Sequence, residues 1–437
     1  MEDMGSWRRT HFSAEIVPEM DGQEVVVFGW VQDLRDLGGI KFLVLRDKEG
    51  TLQVTLPKKK VSEDVVKKFE MLRRESVVAV KGVVKAMPQA PRGVEVIPNE
   101  MRILSLAETP LPLDTTGRVK AELDTRLDAR VLDLRTPESQ AIFRMQHVVL
   151  RAIREFFYDR GFVEVITPKI LATATEGGAQ LFPVAYFEKT AFLAQSPQLY
   201  KEVLTSAFEK VFEIGSFFRA EESNTTYHLS EFVSVDVEIA FATAEDVMKL
   251  LEDLLVEVVS SVKKLCKKEL EVLNYDLPDL SKPFRRFTYT EVLEILKEHG
   301  IFIKWGEDLP TIANRKLGEL YPEPYFITEW PTELKPFYIM PMEDDPKKCY
   351  AFDLNWGWLE LASGGTRIHK KDLLIERIKA QGLSVEGFKE HLMTFDYGMP
   401  PHAGWGLGLN RLMLVLTGRK NIREVVLFPR DRYRLKP

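Results

Sequence analysis

Only two cysteines, Cys266 and Cys349, occur in the 437 residues. That is too few for a disulfide framework or a cysteine-rich zinc site, so any metal must sit on oxygens. No apolar run approaches the length of a bilayer span, and the N-terminal MEDMGSWRRTHF lacks the apolar core of a signal peptide. The expectation is a cytoplasmic protein without a membrane partner. A Walker loop of the form GxxxxGK[ST] is missing. The glycines of HAGWGLGLNRL do not make a dinucleotide fingerprint, since no βαβ unit with a downstream acid surrounds them. Internal repeats and low-complexity segments are also missing. A net charge of -6 argues against nucleic-acid binding over the whole surface, although 60 Lys and Arg residues leave room for a local basic patch.

What is present describes a globular chain of two or three domains, with 45% hydrophobic and 29% charged residues. Five alternating or β-branched runs between about Glu24 and Leu106, separated by glycine-containing turns, predict a small Greek-key barrel of the OB type. Such barrels bind single-stranded nucleic acid by stacking bases on aromatics and reading base edges with amides. Phe42 and Gln53, on adjacent strands, suit both tasks; equally, Phe42 is a core residue and Gln53 a surface one. Residues 109–135 show few β or helical periods and read as a hinge. From Pro137 the spacing of Ile142, Met145, Val149, Ala152, Ile153 and Phe156 predicts a helix ending at Gly161. GFVEVITPKI then reads as a strand closed by Pro168, and ATATEGGAQ as a polar loop.

In AFLAQSPQLYKEVL, Ser196 is a natural N-cap and Pro197 a natural first helical residue. Gln198 and Lys201 then share one helical face near an end that favours anions, or simply form a solvent-facing first turn. The run Val211 to Phe241 reads as a hairpin. Val233, Val235, Val237 and Ile239 make its apolar face, while Ser234, Asp236 and Glu238 point the other way, and in the first half strand parity puts Glu213, Phe217, Arg219 and Glu221 on one face. That charged face is either a platform for a charged ligand or a solvated surface with ion pairs. Residues 243–266 predict an amphipathic helix. From Tyr350 a strand places Trp356, Trp358 and Glu360 on one face, with Ser363, Gly364 and Gly365 turning the chain toward Arg367. Glu360 with Ser363 can hold a hard cation such as Mg²⁺, though the pair alone is a weak signal. In the final motif, Gly404, Gly406 and Gly408 permit close backbone approach to a ligand, or form a tight packing turn, ahead of Arg411.

The order and spacing of these pieces resemble a class II aminoacyl-tRNA synthetase over nearly the whole chain. Motif 1 would span about 138–168, motif 2 about 211–241 with FRAE at Arg219 to Glu221, and motif 3 about 404–416 ending in Arg411. QSPQLYK and ATATEGG look like the aspartyl enzymes of the archaeal and eukaryotic type. The resemblance implies an α+β fold: an OB-fold anticodon-binding barrel over 1–108, a hinge over 109–135, and a catalytic antiparallel sheet flanked by helices over 136–437, dimerised through motif 1. It implies activation of aspartate as aspartyl-adenylate and its transfer to tRNA, with ATP as substrate and Mg²⁺ as cofactor. Arg219 would hold the α-phosphate and the aspartate carboxylate, Arg411 the γ-phosphate, and Glu221 the adenine amino group. Tyr227, His228, Leu229 and Gly408 would complete the ATP site, and Glu360 and Ser363 would carry Mg²⁺. Lys201 and Arg367 would grip the side-chain carboxylate, while Glu176, Gln198, Asp236 and Ser363 would orient the amino acid. Three positions depart from the family pattern: Tyr227 where Arg is usual, Asn410 where motif 3 carries Glu, and Thr366 where SGGQR carries Gln. In the barrel, Gln32, Phe42, Gln53 and Pro91 would meet the anticodon. Gln32 in place of Trp and Pro91 in place of Lys predict a non-discriminating enzyme that charges both tRNA(Asp) and tRNA(Asn), whose Asp-tRNA(Asn) product goes to a separate amidotransferase. The alternatives are an enzyme charging tRNA(Asp) alone, an asparaginyl-type paralogue, and an RNA-binding protein with an inactive synthetase domain.

Overall fold

The computed structural model describes residues 1–172, 180–223 and 225–436, and separates into two compact units, Met1–Thr125 and Arg126–Pro437. In the first unit the alternating runs become β1 (Glu24–Asp36), β2 (Ile40–Arg46), β3 (Thr51–Pro57), β4 (Val77–Ala86) and β5 (Val94–Ser105). They close a barrel in the order β1-β2-β3-β5-β4, and only β3 and β5 run parallel. Val25, Val27, Leu43, Leu45, Val54 and Val80 fill it and are completely buried, as period-two alternation requires. Helix α1 (Glu63–Met71), between β3 and β4, was not expected from the sequence. Its signals are nevertheless there: the Ser62 side chain accepts the Val65 N–H, and Val65 and Phe69 are buried on one face.

The segment read as a hinge carries two short helices, α2 (Leu123–Asp128) and α3 (Arg130–Asp133). Long-range bonds rather than periodicity order α3: the buried Arg130 guanidinium pairs with Asp133 and donates to the carbonyls of Leu427 and Val426. Helix α4 (Pro137–Tyr158) starts where Thr136 caps it, and its predicted apolar stripe is buried throughout. The strand expected in GFVEVITPKI is reduced to β6 (Val163–Glu164) and, past Pro168, β7 (Ile170–Leu171). β7 forms a small sheet with β8 (Pro183–Tyr186) and β9 (Lys189–Leu193).

Helix α5 (Gln198–Phe208) leads into the hairpin β10 (Lys210–Phe218) and β11 (Glu231–Ala240), followed by α6 (Ala244–Leu265) and α7 (Lys267–Leu273). Next come β12 (Arg285–Thr288), α8 (Tyr289–Glu298), α9 (Thr311–Leu320) and β13 (Pro324–Thr328). The chain ends with β14 (Ala351–Trp356), β15 (Leu359–Thr366), α10 (Lys371–Ala380), α11 (Lys389–Phe395), β16 (His402–Gly408) and α12 (Leu409–Leu416). Eight strands form the main sheet, β12-β13-β14-β15-β16-β11-β10-β6, antiparallel except for the outermost pair at each edge. α4, α6 and α12 pack with Val235, Val237, Trp405 and Leu407 into the main core, and α8 to α11 surround a second one. No helix among the described residues is long and apolar enough to cross a membrane.

Two strand assignments change. The run from Tyr350 is a hairpin rather than one strand: Gly357, at φ 57°, reverses the chain, so Trp356 enters the core while Glu360 faces a cavity. Ser363, Gly364 and Gly365 lie within β15 and do not turn the chain. A Cβ on Gly364 would meet the Gly404 carbonyl at 2.5 Å, and one on Gly365 the Tyr350 carbonyl at 2.4 Å, so these glycines serve close strand packing.

Candidate active site

The central strands β11, β15 and β16 floor a cavity of about 380 Å³, and α5, α12 and the β10–β11 loop wall it. Gln198, Arg219, Glu221, Tyr227, His228, Leu229, Asp236, Glu360, Ser363, Arg367, Gly408 and Arg411 all line it. Glu176 lies outside the described residues.

At its closed end the charged face of the hairpin is buried, not solvated: Asp236 is 4% exposed and Glu238 is inaccessible. Burial is tolerated because every carboxylate meets a cation. Lys201 Nζ donates to Asp236 Oδ1 at 2.9 Å and to the Trp405 carbonyl at 3.0 Å, and lies 3.5 Å from Glu238 Oε2. Arg367 Nε donates to Glu238 Oε1 at 3.0 Å and its Nη2 to Gln198 Oε1 at 3.4 Å. Gln198 and Lys201 therefore do share a face of α5, but that face points inward. The helix begins one residue later than expected, with Ser196 Oγ accepting the Gln198 N–H at 3.3 Å. On β10, Glu213 is likewise buried and takes Thr167 and Lys169 as donors.

The final glycine motif explains how this charge fits. It lies in β16, paired with β11 so that Gly404 faces Glu238 and Gly406 faces Asp236. A Cβ on Gly404 would sit 2.1 Å from the Val237 carbonyl and 2.2 Å from Glu238 Oε2. Glycine here leaves room for a neighbouring carboxylate as well as for a ligand. Asp236 Oδ2 is buried without a hydrogen-bond donor, and an ammonium group entering the cavity would supply one.

The open end is cationic. Arg219 follows the last residue of β10, its backbone N–H held by the Ser230 carbonyl at 2.9 Å and its guanidinium 5.4 Å from the Phe232 ring centroid. Arg411, in the first turn of α12, donates to the Glu360 carbonyl at 2.9 Å. His228 is pushed down to about 4 by burial and then by Arg411, with Arg219 adding to it, so it stands neutral beside the cations at neutral pH. Its Nδ1 is 2.9 Å from Thr225 Oγ1, while Glu221 Oε1 accepts from Ser223 Oγ at 2.7 Å.

About half of the Glu360 side chain is open to the cavity. Its carboxyl is pushed up by desolvation and by Asp353, against the pull of Arg411 and Lys335. Asp353 on β14 is directly opposite Ser363 on β15, its Oδ2 held by Lys335 at 2.6 Å and its buried Oδ1 without a donor. Sequence reading missed Asp353. Its signal was the pairing that a hairpin turn at Gly357 imposes. Among the described residues no group of three or more His, Cys, Asp or Glu is arranged to hold a metal. Two carboxylates and a hydroxyl instead suit a hard cation that completes its shell with water and phosphate, and the orphaned Asp353 oxygen fits that use.

The three departures from the family pattern have local partners. Tyr227 packs edge-on against Trp358 at 5.1 Å, and its hydroxyl is 3.2 Å from Thr311 Oγ1 on α9. Asn410 Oδ1 accepts the Val233 N–H at 2.8 Å, tying α12 to β11. Thr366 Oγ1 accepts the Ala244 N–H at 2.9 Å at the start of α6.

In the barrel, Phe42 is half-buried and outside the hydrophobic core, one step along from Val44, which pairs with Gln53. The Gln53 amide donates to Glu95 Oε2 at 3.0 Å and to Thr55 Oγ1 at 3.2 Å, so it is engaged within the barrel wall. Gln32 occupies an irregularity in β1 between Val31 and Asp33, with its Oε1 buried and without a donor. Pro91 is exposed in the turn between β4 and β5.

Comparison with known proteins gives two family matches: "tRNA synthetases class II (D, K and N)" over residues 122–432 and "OB-fold nucleic acid binding domain" over residues 25–104. The sequence is 58% identical, over 98% of its length and 99% of the relative, to the aspartate–tRNA(Asp/Asn) ligase of Methanopyrus kandleri. It is 53% identical to the aspartate–tRNA(Asp) ligase of Pyrococcus abyssi, covering 98% of this chain and all of the relative. Among solved structures, asparaginyl-tRNA synthetase from Pyrococcus horikoshii complexed with asparaginyl-adenylate superposes with a TM-score of 0.94 at 35% identity, covering 98% of this chain and 100% of that one.

Proposed function

Because the chain belongs to the class II tRNA synthetases of the D, K and N group, we propose that it joins L-aspartate to tRNA through an aspartyl-adenylate, with residues 1–108 reading the anticodon and 136–437 carrying out the chemistry. A carboxylate oxygen of aspartate bonds to the α-phosphorus of ATP as the bond to pyrophosphate breaks. A ribose hydroxyl at the tRNA 3′ end then attacks the activated carbonyl, loses its proton, and AMP leaves. Neither step needs a covalent enzyme intermediate. The protein contributes positioning and charge neutralisation.

The observation that carries the choice of amino acid is a pair of buried cations that meet at Glu238: Arg367, which lines the closed end of the cavity, and Lys201, which lies behind the lining on Asp236. Both cations already meet protein carboxylates, but they still attract a charged side-chain carboxylate more strongly than the neutral amide of asparagine. This weighs against the asparaginyl reading that the close superposition on the Pyrococcus horikoshii enzyme would otherwise favour. Asp236 takes the substrate ammonium, with Gln198 and Ser363 also lining the cavity, and Glu176 is kept as an orienting residue on the family resemblance alone. Arg219 holds the α-phosphate and the reacting carboxylate, Arg411 the γ-phosphate, and Glu221 the adenine amino group. His228, Leu229, Tyr227 and Gly408 wall the nucleotide. Glu360 and Ser363, backed by Asp353, hold Mg²⁺, which when bound neutralises phosphate charge. Asp353→Asn is expected to raise the Mg²⁺ concentration for half-maximal pyrophosphate exchange roughly tenfold, the scale of losses from groups that support metal ligands. An unchanged Mg²⁺ dependence would remove Asp353 from this role.

Gln32 and Pro91 support charging of both tRNA(Asp) and tRNA(Asn), since a bulky Trp and a fixed cation at these places would reject the base that differs between the two anticodons. Asp-tRNA(Asn) would then be amidated by a separate enzyme. Exposed Val163 and Ile166 on the motif 1 segment, with Ile170 just past it, support assembly as a homodimer. Charging purified tRNA(Asp) and tRNA(Asn) with labelled aspartate tests the whole reading: both should be charged, and charging of neither defeats it. Gln32→Trp combined with Pro91→Lys should cut tRNA(Asn) charging at least about tenfold more than tRNA(Asp) charging, the size of one wrong contact. Equal losses would discredit the anticodon assignment.

A further inference from the structure

Behind the Lys201–Arg367 pair lies a buried acid that the chemistry above does not use. Glu202, the next residue on α5, is inaccessible to solvent, and its Oε1 accepts from Gln198 Nε2 at 2.6 Å. Its other oxygen faces two imidazoles, His391 Nε2 on α11 at 3.4 Å and His402 Nε2 on β16 at 3.9 Å. None of these three facing atoms has a hydrogen-bond partner, although all are buried. His402 Nδ1 is 2.7 Å from the Pro400 carbonyl, which can only accept, so Nδ1 carries a proton. A neutral His402 would therefore turn a lone pair toward the Glu202 carboxylate. Only the imidazolium can donate to it.

The charges around the pocket point the same way. Lys201 and Arg367 are two cations against three acids, Asp236, Glu238 and Glu202, before any substrate carboxylate enters. Resting on the reading of the substrate as aspartate, we propose that His402, seconded by His391, is the specificity-determining positioning residue of this pocket. Its imidazolium balances Glu202, holds the Gln198–Arg367 hydrogen bond in place, and lets the pocket accept a carboxylate rather than an amide. The charged and titratable groups acting on His402 are Glu202 from α5, Glu238 from β11 and His369 after β15, while His391 from α11 meets the same Glu202 oxygen and Arg367 bonds the His402 carbonyl through its backbone N–H. Burial lowers the pKa of His402, but Glu202 and then Glu238 outweigh it and the value is raised above 6.5. Glu202 is held below the usual carboxylate range by the two imidazoles despite its burial. These acids favour the imidazolium of His402 over that of a free imidazole, and the proton is lost as the pH rises through the raised folded value.

The test is pyrophosphate exchange by the full-length enzyme from about pH 6 to about pH 9, with KM for aspartate divided by the competitive inhibition constant of asparagine, so that shared α-groups cancel. The ratio should rise roughly tenfold across the range, the effect of one charge at partly screened distance, with kcat unchanged. His402→Gln should fix the ratio at its alkaline value at every pH, and adding Glu202→Gln should restore the acid value. A wild-type ratio that stays flat overturns the proposal, as does a double variant no better than the single one. Should His402→Gln not fold, the wild-type profile and His391→Gln, expected to raise the pH at which the ratio rises because Glu202 is then left to His402 alone, decide it; an unshifted profile in His391→Gln overturns its part. No exchange with aspartate at any pH would instead overturn the functional reading itself.

Discussion

Lys201→Met is expected to reduce aspartate-dependent pyrophosphate exchange by roughly a thousandfold while ATP still binds, because breaking one buried ion pair costs about 3–5 kcal/mol. Lys201 is 2% exposed and touches three acceptors, Asp236, Glu238 and the Trp405 carbonyl. Methionine keeps the apolar stem but strands Asp236 and leaves Glu238 with Arg367 alone. Their excess charge then repels the carboxylate that the pocket exists to receive. The nucleotide end is built from other elements, with Arg219 after β10 and Arg411 on α12, so equilibrium binding of ATP should change little. Near-normal exchange with aspartate would mean that the side-chain pocket has been placed wrongly. Loss of ATP binding as well would show that the stranded charges had disrupted the sheet rather than the pocket alone.

That pocket was partly legible in the sequence, and the reasons for the gaps are physical. Helical spacing put Gln198 and Lys201 together, and strand parity put Ser234, Asp236 and Glu238 on one face, because both depend only on near neighbours. Whether that face met water or a second charged layer depended on β16 and Arg367, which are distant in sequence, and on how the neighbouring α5 docks. The same applies to α3, whose order comes from Arg130 bonding to residues almost 300 positions away. Asp353 escaped notice because its place opposite Ser363 follows from the Gly357 turn, and an unbroken strand reading hides that turn. Glu202 and His402 were invisible for another reason. A buried acid on an amphipathic helix looks like any surface glutamate until its burial is known.

Gly404→Ala should be the most damaging single-methyl change in the catalytic unit, costing about 3 kcal/mol or more, at the upper end of what overpacking exacts. The added carbon would sit 2.1 Å from the Val237 carbonyl and 2.2 Å from Glu238 Oε2. A backbone carbonyl in the middle of a sheet cannot rotate away, so β16 and β11 must part locally. Glu238 must also move, which releases Arg367 from its 3.0 Å contact. Stability and aspartate recognition should therefore fall together. Gly406→Ala provides the internal comparison, because its nearest neighbour is the Asp236 carboxylate at 3.1 Å, a side chain with some freedom to yield. Its unfolding midpoint should stay near that of the wild type while KM for aspartate rises, since Asp236 is displaced from both Lys201 and the substrate ammonium. Chemical denaturation and KM for aspartate, measured on both variants, separate the two effects. If Gly404→Ala unfolds at the wild-type denaturant concentration with an unchanged KM, the glycines of the last motif are not what makes room for the buried carboxylates, and their role must lie with the nucleotide alone.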